Sequence, residues 1–436
     1  MKIMNSRRRL FGGMAALSAA VTLAACSSPG AAPLASTGPV DAAEVVALSG
    51  ADADHLGGGL TIPVGINVAM TGGGSIYGPL QVAGANLAAA QILAAGGPKF
   101  EFSIKDHKSG DAQAGVQTTR ELGQEGVHLA LYSYVGALGS AFDGLEQYKI
   151  VTLDPGGGTQ KFGQNKPYFY GTRTFTPNDA LAGIAKYAAE RVPDATEAGF
   201  VLEDSGADNV ADVVTAAKAS FSAVGIELSD PQLVPIGGAD FSAAVSKILA
   251  EDPPVVFISI HGTDTGLFLK QYRAAGGTAP VIGADWIADI PELAGTAADG
   301  YAFGTDYFSA TDPANNPWAQ FFVETWREAY PELGDPDLNG ANFYEATFAL
   351  WALVQRVLAE GGDVNNPDHL IAALEAEPTF SSVYGASASE PHGTFSIDLD
   401  THSVSGREQY IYEYDGGDLV QRASFDSTGD DFQLTE

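Results

Sequence analysis

Cysteine is all but missing from this chain, since Cys26 is the single one in 436 residues. One thiol makes no disulfide framework, so the folded part must be held by apolar cores. Basic residues are scarce as well, 22 Lys and Arg against 54 Asp and Glu, for a formal charge of −32. Such a surface repels phosphate backbones and anionic headgroups, which excludes nucleic acid as a partner and attachment to a membrane through a basic patch. The acidity itself reads as solubility or a high-salt habitat. The seven histidines are scattered without metal-ligand spacing, so no metal and no cofactor is expected. Also lacking are a Gly-x-Ser-x-Gly elbow, a Gly-Lys-Ser/Thr phosphate loop and a His-Glu-x-x-His zinc motif. No catalytic residue is singled out, and the expectation is a protein that is not an enzyme.

What is present begins at the amino terminus. Lys2, Arg7, Arg8 and Arg9 precede an uncharged, mostly apolar run from Leu10 to Ala25. This charged, apolar, small-residue order is that of a secretory signal. The run has 16 residues, short of the ~20 that cross a bilayer, so residues 1–25 read as a cleaved signal peptide. Leu23-Ala24-Ala25-Cys26 resembles the lipobox of bacterial lipoproteins, in which Cys26 carries lipid and becomes the first residue of the mature chain. Loss of the four cations would take the charge to −36. Ser6-Arg7-Arg8-Arg9-Leu10 also resembles a twin-arginine export signal, and the sequence does not separate that route from the general secretory one. Residues 26–59, rich in Ser, Ala, Gly, Pro and Asp, read as the lipidated cysteine and a flexible tether.

The folded body of about 375 residues should start near Leu60; it is too long for one core and suits two lobes. Leu60–Met70 is β-rich and stops at Thr71-Gly72-Gly73-Gly74. Tyr77–Ala95 has helical spacing, Phe100–Lys105 alternates, Asp111–Glu125 is helical and Val127–Tyr132 is a strand. A helix over Leu138–Tyr148 and a strand over Ile150–Leu153 follow. The same order restarts with strands at Ala198–Leu202, Gln232–Ile236, Val255–Ile260 and Val281–Gly283, separated by helices. Strands separated by single helices need crossover connections, so the fold class is α/β, two doubly wound parallel sheets side by side.

Open α/β sheets bind ligands beyond the carboxyl ends of their strands. Here those ends are Tyr132–Ala137 and Asp154–Thr159 in the first half, and Glu203–Gly206, His261–Asp264 and Ala284–Trp286 in the second. The first set is mostly neutral, with glycine-exposed backbone and hydroxyls; the second carries carboxylates. A ligand with one negative and one positive group fits across them.

The stretch from Leu60 to Tyr307 resembles the leucine/isoleucine/valine-binding family of solute-binding proteins that serve ATP-driven importers and have the type I periplasmic-binding fold. The resemblance is carried by Ala69-Met70-Thr71-Gly72 with Tyr77-Gly78, Lys105-Asp106 before Asp111-Ala112, Asp154-Pro155-Gly156, and Arg173-Thr174 with Asp179. Asp240-Phe241-Ser242, the run from Lys270 to Gly276, and Gly393-Thr394-Phe395 with Asp398 continue it. It implies a clamshell hinged at three crossings, near Thr174–Asn178, Asp299–Ala302 and Ser405–Gln409. Lobe 1 would then be residues 60–175 plus 300–404, and lobe 2 residues 176–299 plus 405–436.

The resemblance also implies a site. The ligand carboxylate would meet Tyr134, Val135, Gly136 and Ala137, and Gly156, Gly157, Gly158 and Thr159. Asp264 would accept from the α-ammonium, and Tyr77 matches an aromatic near the pocket. The family often has a hydroxyl residue where Val135 and Gly136 stand, and an aromatic in the loop where this chain reads Asp204-Ser205-Gly206, so Asp204, His261 and Trp286 are expected as pocket walls of a more polar or larger site. Each has a plainer alternative: Gly156–Gly158 a tight turn, Asp264 an N-cap, Trp286 and Tyr77 packing, His261 a loop residue. The implied partners are a small amino-acid-like ligand, an ABC permease with its ATPase, and the membrane through the Cys26 lipid. The protein would be an extracytoplasmic monomer at the outer face of the cell membrane. The alternatives are a membrane sensor's ligand-binding component and a lipid-anchored hydrolase using cleft carboxylates.

Overall fold

Glycine turns divide the chain into alternating strands and helices, and a computed structural model shows how they assemble. It describes residues 41–133, 138–156, 166–173, 177–311, 313, 315–405, 407–425 and 431–435, without the side chains of 177–179 and 405. The first half runs α1 (Ala42–Ser49), β1 (Thr61–Val68), α2 (Tyr77–Ala94), β2 (Lys99–Asp106), α3 (Ala112–Gln124), β3 (Leu129–Tyr132), α4 (Phe142–Tyr148), β4 (Val151–Asp154) and β5 (Phe169–Gly171). The strands form one parallel sheet in the order β2-β1-β3-β4-β5.

The second half runs α5 (Pro177–Arg191), β6 (Glu197–Glu203), α6 (Ala207–Ala223), β7 (Glu227–Leu228), β8 (Gln232–Val234), α7 (Ser242–Glu251), β9 (Val256–Ser259), α8 (Thr263–Ala274), β10 (Val281–Gly283), α9 (Asp289–Ala294) and β11 (Ala302–Thr305). The chain then returns to the first lobe as α10 (Pro317–Ala329), α11 (Leu338–Ala359), α12 (Pro367–Ala376), β12 (Thr379–Ser382), β13 (Gly393–Asp398) and β14 (Ser403–Ser405). It ends on the second with β15 (Gln409–Asp415), β16 (Asp418–Phe425) and β17 (Gln433–Leu434). The second sheet is β17-β16-β15-β11-β10-β9-β6-β7, with β8 also paired to β6; β12-β13-β14 form a small third sheet. Helices cover both faces of each large sheet. On the first, α2 and α11 pack on one side and α3 and α4 on the other. On the second, α5 and α6 face α7, α8 and α9 across the strands. This is the expected two-lobe α/β architecture, with one addition: β15, β16 and β17 extend the second sheet in antiparallel fashion.

Two boundaries differ from the sequence reading. The tether expected over residues 26–59 does not extend to Gly59, because residues from Asp41 onward are folded on the first lobe. Asp41 caps α1 through Ala43 N–H, Gly50 ends it at φ 66°, and Val45 is buried in the first core. Trp351 then donates Nε1–H to the Leu56 carbonyl, and Gln355 clasps the Asp52 backbone. The Ala/Gly/Asp composition hid an N-cap, an apolar side and a left-handed C-cap in one short stretch. The second crossing also lies later than Asp299–Ala302. Residues 302–305 form β11, which pairs with β10 and β15 and so belongs to the second sheet.

Candidate functional site

All strands of the first sheet, and β6, β9, β10 and β11 of the second, run parallel, so each lobe presents its carboxyl-end loops along one edge. On the second lobe that edge is ionic. Glu203 ends β6, and both its oxygens are taken by His261: the backbone N–H reaches Oε1 at 2.8 Å and the ring Nδ1 lies 2.9 Å from Oε2. Burial would lower the His261 pKa, but the adjoining Glu203 charge and hydrogen bond outweigh it and hold the value up at about 9. His261 is therefore an imidazolium at neutral pH.

Asp285, two residues beyond β10, accepts from Gly262 N–H at 2.7 Å and from the Tyr77 hydroxyl at 2.9 Å, both at Oδ2. The second bond joins the two lobes. Tyr77 opens α2 of the first lobe, yet its ring lies within the core formed by α7, α8 and α9, and Ile76 packs against the same core. The approach depends on glycine: Gly262 sits at φ 62°, and a Cβ there would stand 3.2 Å from the Tyr77 hydroxyl. Gly73 meets Gly237 in the same way, with room for no side chain on either backbone.

Asp264, in the first turn of α8, is 3 % exposed. Its Oδ2 accepts from Gly237 N–H at 2.7 Å and Gly238 N–H at 3.2 Å, so it clamps the loop after β8 instead of capping its own helix. Burial pushes its pKa up and Glu203 adds to the rise, while the two N–H groups oppose it. Trp286 is half-buried and stacks on Phe303 at 5.0 Å between centroids, with Tyr414 at 5.5 Å. Asp204 is exposed and contacts Gly206 N–H at 3.4 Å, a local turn contact.

On the first lobe, Gly156 folds back so that its N–H reaches Asp154 Oδ1 at 2.9 Å. A Cβ at Gly156 would stand 2.4 Å from Ser133 Cβ, so the ends of β3 and β4 touch at a distance only glycine permits. Beneath them Gly110 N–H donates to His107 Nδ1 at 3.0 Å, which places the ring proton on Nε2, 3.1 Å from Ser133 Oγ. Burial lowers the His107 pKa to about 4 against the pull of Asp106, so the ring is neutral. Tyr134, Val135, Gly136, Ala137, Gly157, Gly158 and Thr159 lie outside the described residues, as does Cys26.

The structure thus brings Tyr77, His261 and Asp264 into or beside one ionic junction and adds Glu203 and Asp285, which the sequence placed at strand ends without a role. Their signal was position alone: Glu203 is the last residue of one buried strand and Asp285 lies just beyond another. Among the described residues no cluster of His, Cys, Asp and Glu is arranged to hold a metal ion.

The sequence profile of the periplasmic binding proteins matches residues 61–417. This chain belongs to the periplasmic binding protein family. The Leu/Ile/Val-binding protein homolog 1 of Brucella suis is 26 % identical over 329 residues, covering 74 % of this chain and 84 % of that protein. The fold is that of the leucine-binding protein of Thermotoga maritima, with TM-score 0.69 at 18 % identity over 83 % of this chain and 98 % of the other. It is also that of a Rhodopseudomonas palustris solute-binding protein solved with benzoate, with TM-score 0.68 at 22 % identity over 83 % and 95 %. In this periplasmic binding protein the ionic junction therefore sits where the two lobes of the fold face each other. Among the described residues no helix is long and apolar enough to cross a membrane.

Proposed function

We propose that this periplasmic binding protein is the extracytoplasmic, lipid-anchored solute-binding component of an ABC importer, held at the membrane by Cys26. It captures a small zwitterionic ligand, an amino acid or a close relative such as an amide, between its lobes and passes it as a monomer to a permease. The observation that carries the reading is the charge of the second-lobe edge. Glu203, Asp264 and Asp285 stand against the single imidazolium of His261, within a few residues of one another's loops. An edge with surplus negative charge favours an ammonium. The ligand carboxylate is assigned to the opposite edge, where Ser133 and Gly156 meet just beyond β3 and β4; residues 134–137 and 157–159, outside the described residues, are the donors this reading requires.

A hydrolase reading gains nothing from Ser133 and His107. A base must accept the serine proton, whereas His107 Nε2 already carries one because Nδ1 is occupied by Gly110 N–H. An aromatic acid is the second reading, favoured by the His261 cation and the Trp286 stack and by the benzoate bound in the Rhodopseudomonas relative.

A thermal-shift and calorimetric screen of amino acids, amides and benzoates separates these readings, because a ligand that binds only the folded state raises its melting temperature by mass action. A saturable, unchanged amino acid or amide supports the proposal; a benzoate as sole binder replaces it with the second reading; turnover of the compound refutes both.

A further inference from the structure

Three segments carry the chain between the lobes, from β5 to α5, from β11 to α10 and from β14 to β15, and each gives one residue to a single buried charge cluster. Arg173, just past β5, donates Nε to both oxygens of Asp306 at 2.9 and 3.0 Å and Nη2 to Oδ1 at 2.8 Å. Asp306 directly follows β11 and is 1 % exposed. Arg407, before β15, donates Nη2 to Glu345 Oε1 at 2.9 Å and to Ser382 Oγ at 3.1 Å, and its guanidinium lies over the rings of Tyr384 and Phe395. Glu345 belongs to α11, and Asn342 on the same helix reaches Asp306 Oδ2 at 3.4 Å. One end of the cluster ties the first crossing to the second; the other ties the third crossing to the first lobe.

Burial opposes the Asp306 charge, and the Arg173 guanidinium overcomes it, holding the carboxyl below its ordinary range. Ion pairs buried to this degree recover in attraction little more than they lose in desolvation, so they add little stability while fixing geometry closely. The cluster is also incompletely paired. Arg407 Nε and Nη1, the Tyr384 hydroxyl and Asn342 Oδ1 are buried without a hydrogen-bond partner. Buried donors on a cation are costly to leave unpaired, and Arg407 lies close enough to Asp306 for the two charges to interact. A rotation of the crossings that brings Arg407 to Asp306 would satisfy those donors while loosening the Arg173 pair.

We propose that the hinge contains a two-position charge switch: Asp306 pairs with Arg173 in one arrangement of the lobes and with the unpaired edge of Arg407 in the other, so that this exchange sets the balance between open and closed forms. Bistable packing of this kind is a common means by which domain hinges acquire discrete states.

The test needs no cognate ligand. In the full chain carrying Cys26→Ser, Gln113→Cys on the first lobe and Asp208→Cys on the second, both exposed positions, take a dye pair for single-molecule FRET. Two interlobe distance populations are expected. Asp306→Asn should shift their ratio at least tenfold, and Arg407→Lys, which keeps the charge facing Glu345 but loses Nε and the planar edge, should deplete the second population. A single population in the parent protein, or a ratio unchanged in folded Asp306→Asn and Arg407→Lys proteins, overturns the switch even where melting temperature falls. Should Asp306→Asn not fold, Arg407→Lys decides alone.

Discussion

Tyr77→Phe removes one oxygen and leaves the ring where it packs among α7, α8 and α9. The bond it deletes, 2.9 Å from Asp285 Oδ2, links the two lobes and ends on a carboxylate. Hydrogen bonds to charged groups contribute about 1.5–3 kcal/mol. Asp285 keeps its contact with Gly262 N–H, which places the loss at the lower part of that range. Because the bond spans the lobes, the loss falls on the arrangement in which they meet, and affinity for the ligand found by the screen should drop roughly tenfold, up to a hundredfold at the upper limit. Calorimetry gives the affinity and stopped-flow fluorescence the rates; the change should appear mainly as faster release. Melting of the unliganded protein should move little, since the buried apolar surface is kept. A Phe variant with parental affinity and release rate would show that the Tyr77 hydroxyl does not hold the lobes together, and the interlobe reading of this residue would fail.

Asp264→Ala should cost about 1–2 kcal/mol in urea unfolding by stranding the N–H groups of Gly237 and Gly238, whereas Asp264→Asn keeps an acceptor and should lose ammonium-ligand affinity with a smaller stability cost. His261, with its pKa raised to about 9, contributes stability that is fully present below pH 6.5 and is lost as pH rises through 9; NMR titration of its ring should show that midpoint, and Glu203→Gln should return it to the ordinary range or below. Gly156→Ala forces a methyl to 2.4 Å from Ser133 Cβ and should destabilise the first lobe by about 1–3 kcal/mol, read by chemical denaturation, while weakening ligand capture.

Alternating strands and helices, read from period and glycine punctuation, yielded the α/β class and most elements of the first half, because a buried parallel strand is an apolar run that local sequence displays. The strand ends were legible too, and with them His261 and Asp264 on one edge, whereas Tyr77 was reached only through the family resemblance. Their partners were not. Nothing near Tyr77 announces Asp285, and nothing near Asp264 announces the N–H groups of Gly237 and Gly238, since each pair meets only when separate loops converge. Helix α1 escaped notice because its eight residues are too short for a clear period, and its apolar side makes sense only against Trp351 and the first core.

By itself the chain determined the alternation of strands and helices through most of the first half and the opening of the second, and that the acidic loops follow one set of strands and the glycine loops another. Tertiary structure alone decided which carboxylate faces which donor, that β11 lies in the second sheet between β10 and β15, and that Arg173, Asp306 and Arg407 cluster where the chain crosses between the sheets. The physical reason is range: backbone preference and apolar period act over a few residues, whereas an ion pair between positions 173 and 306 exists only after two lobes have been folded and joined.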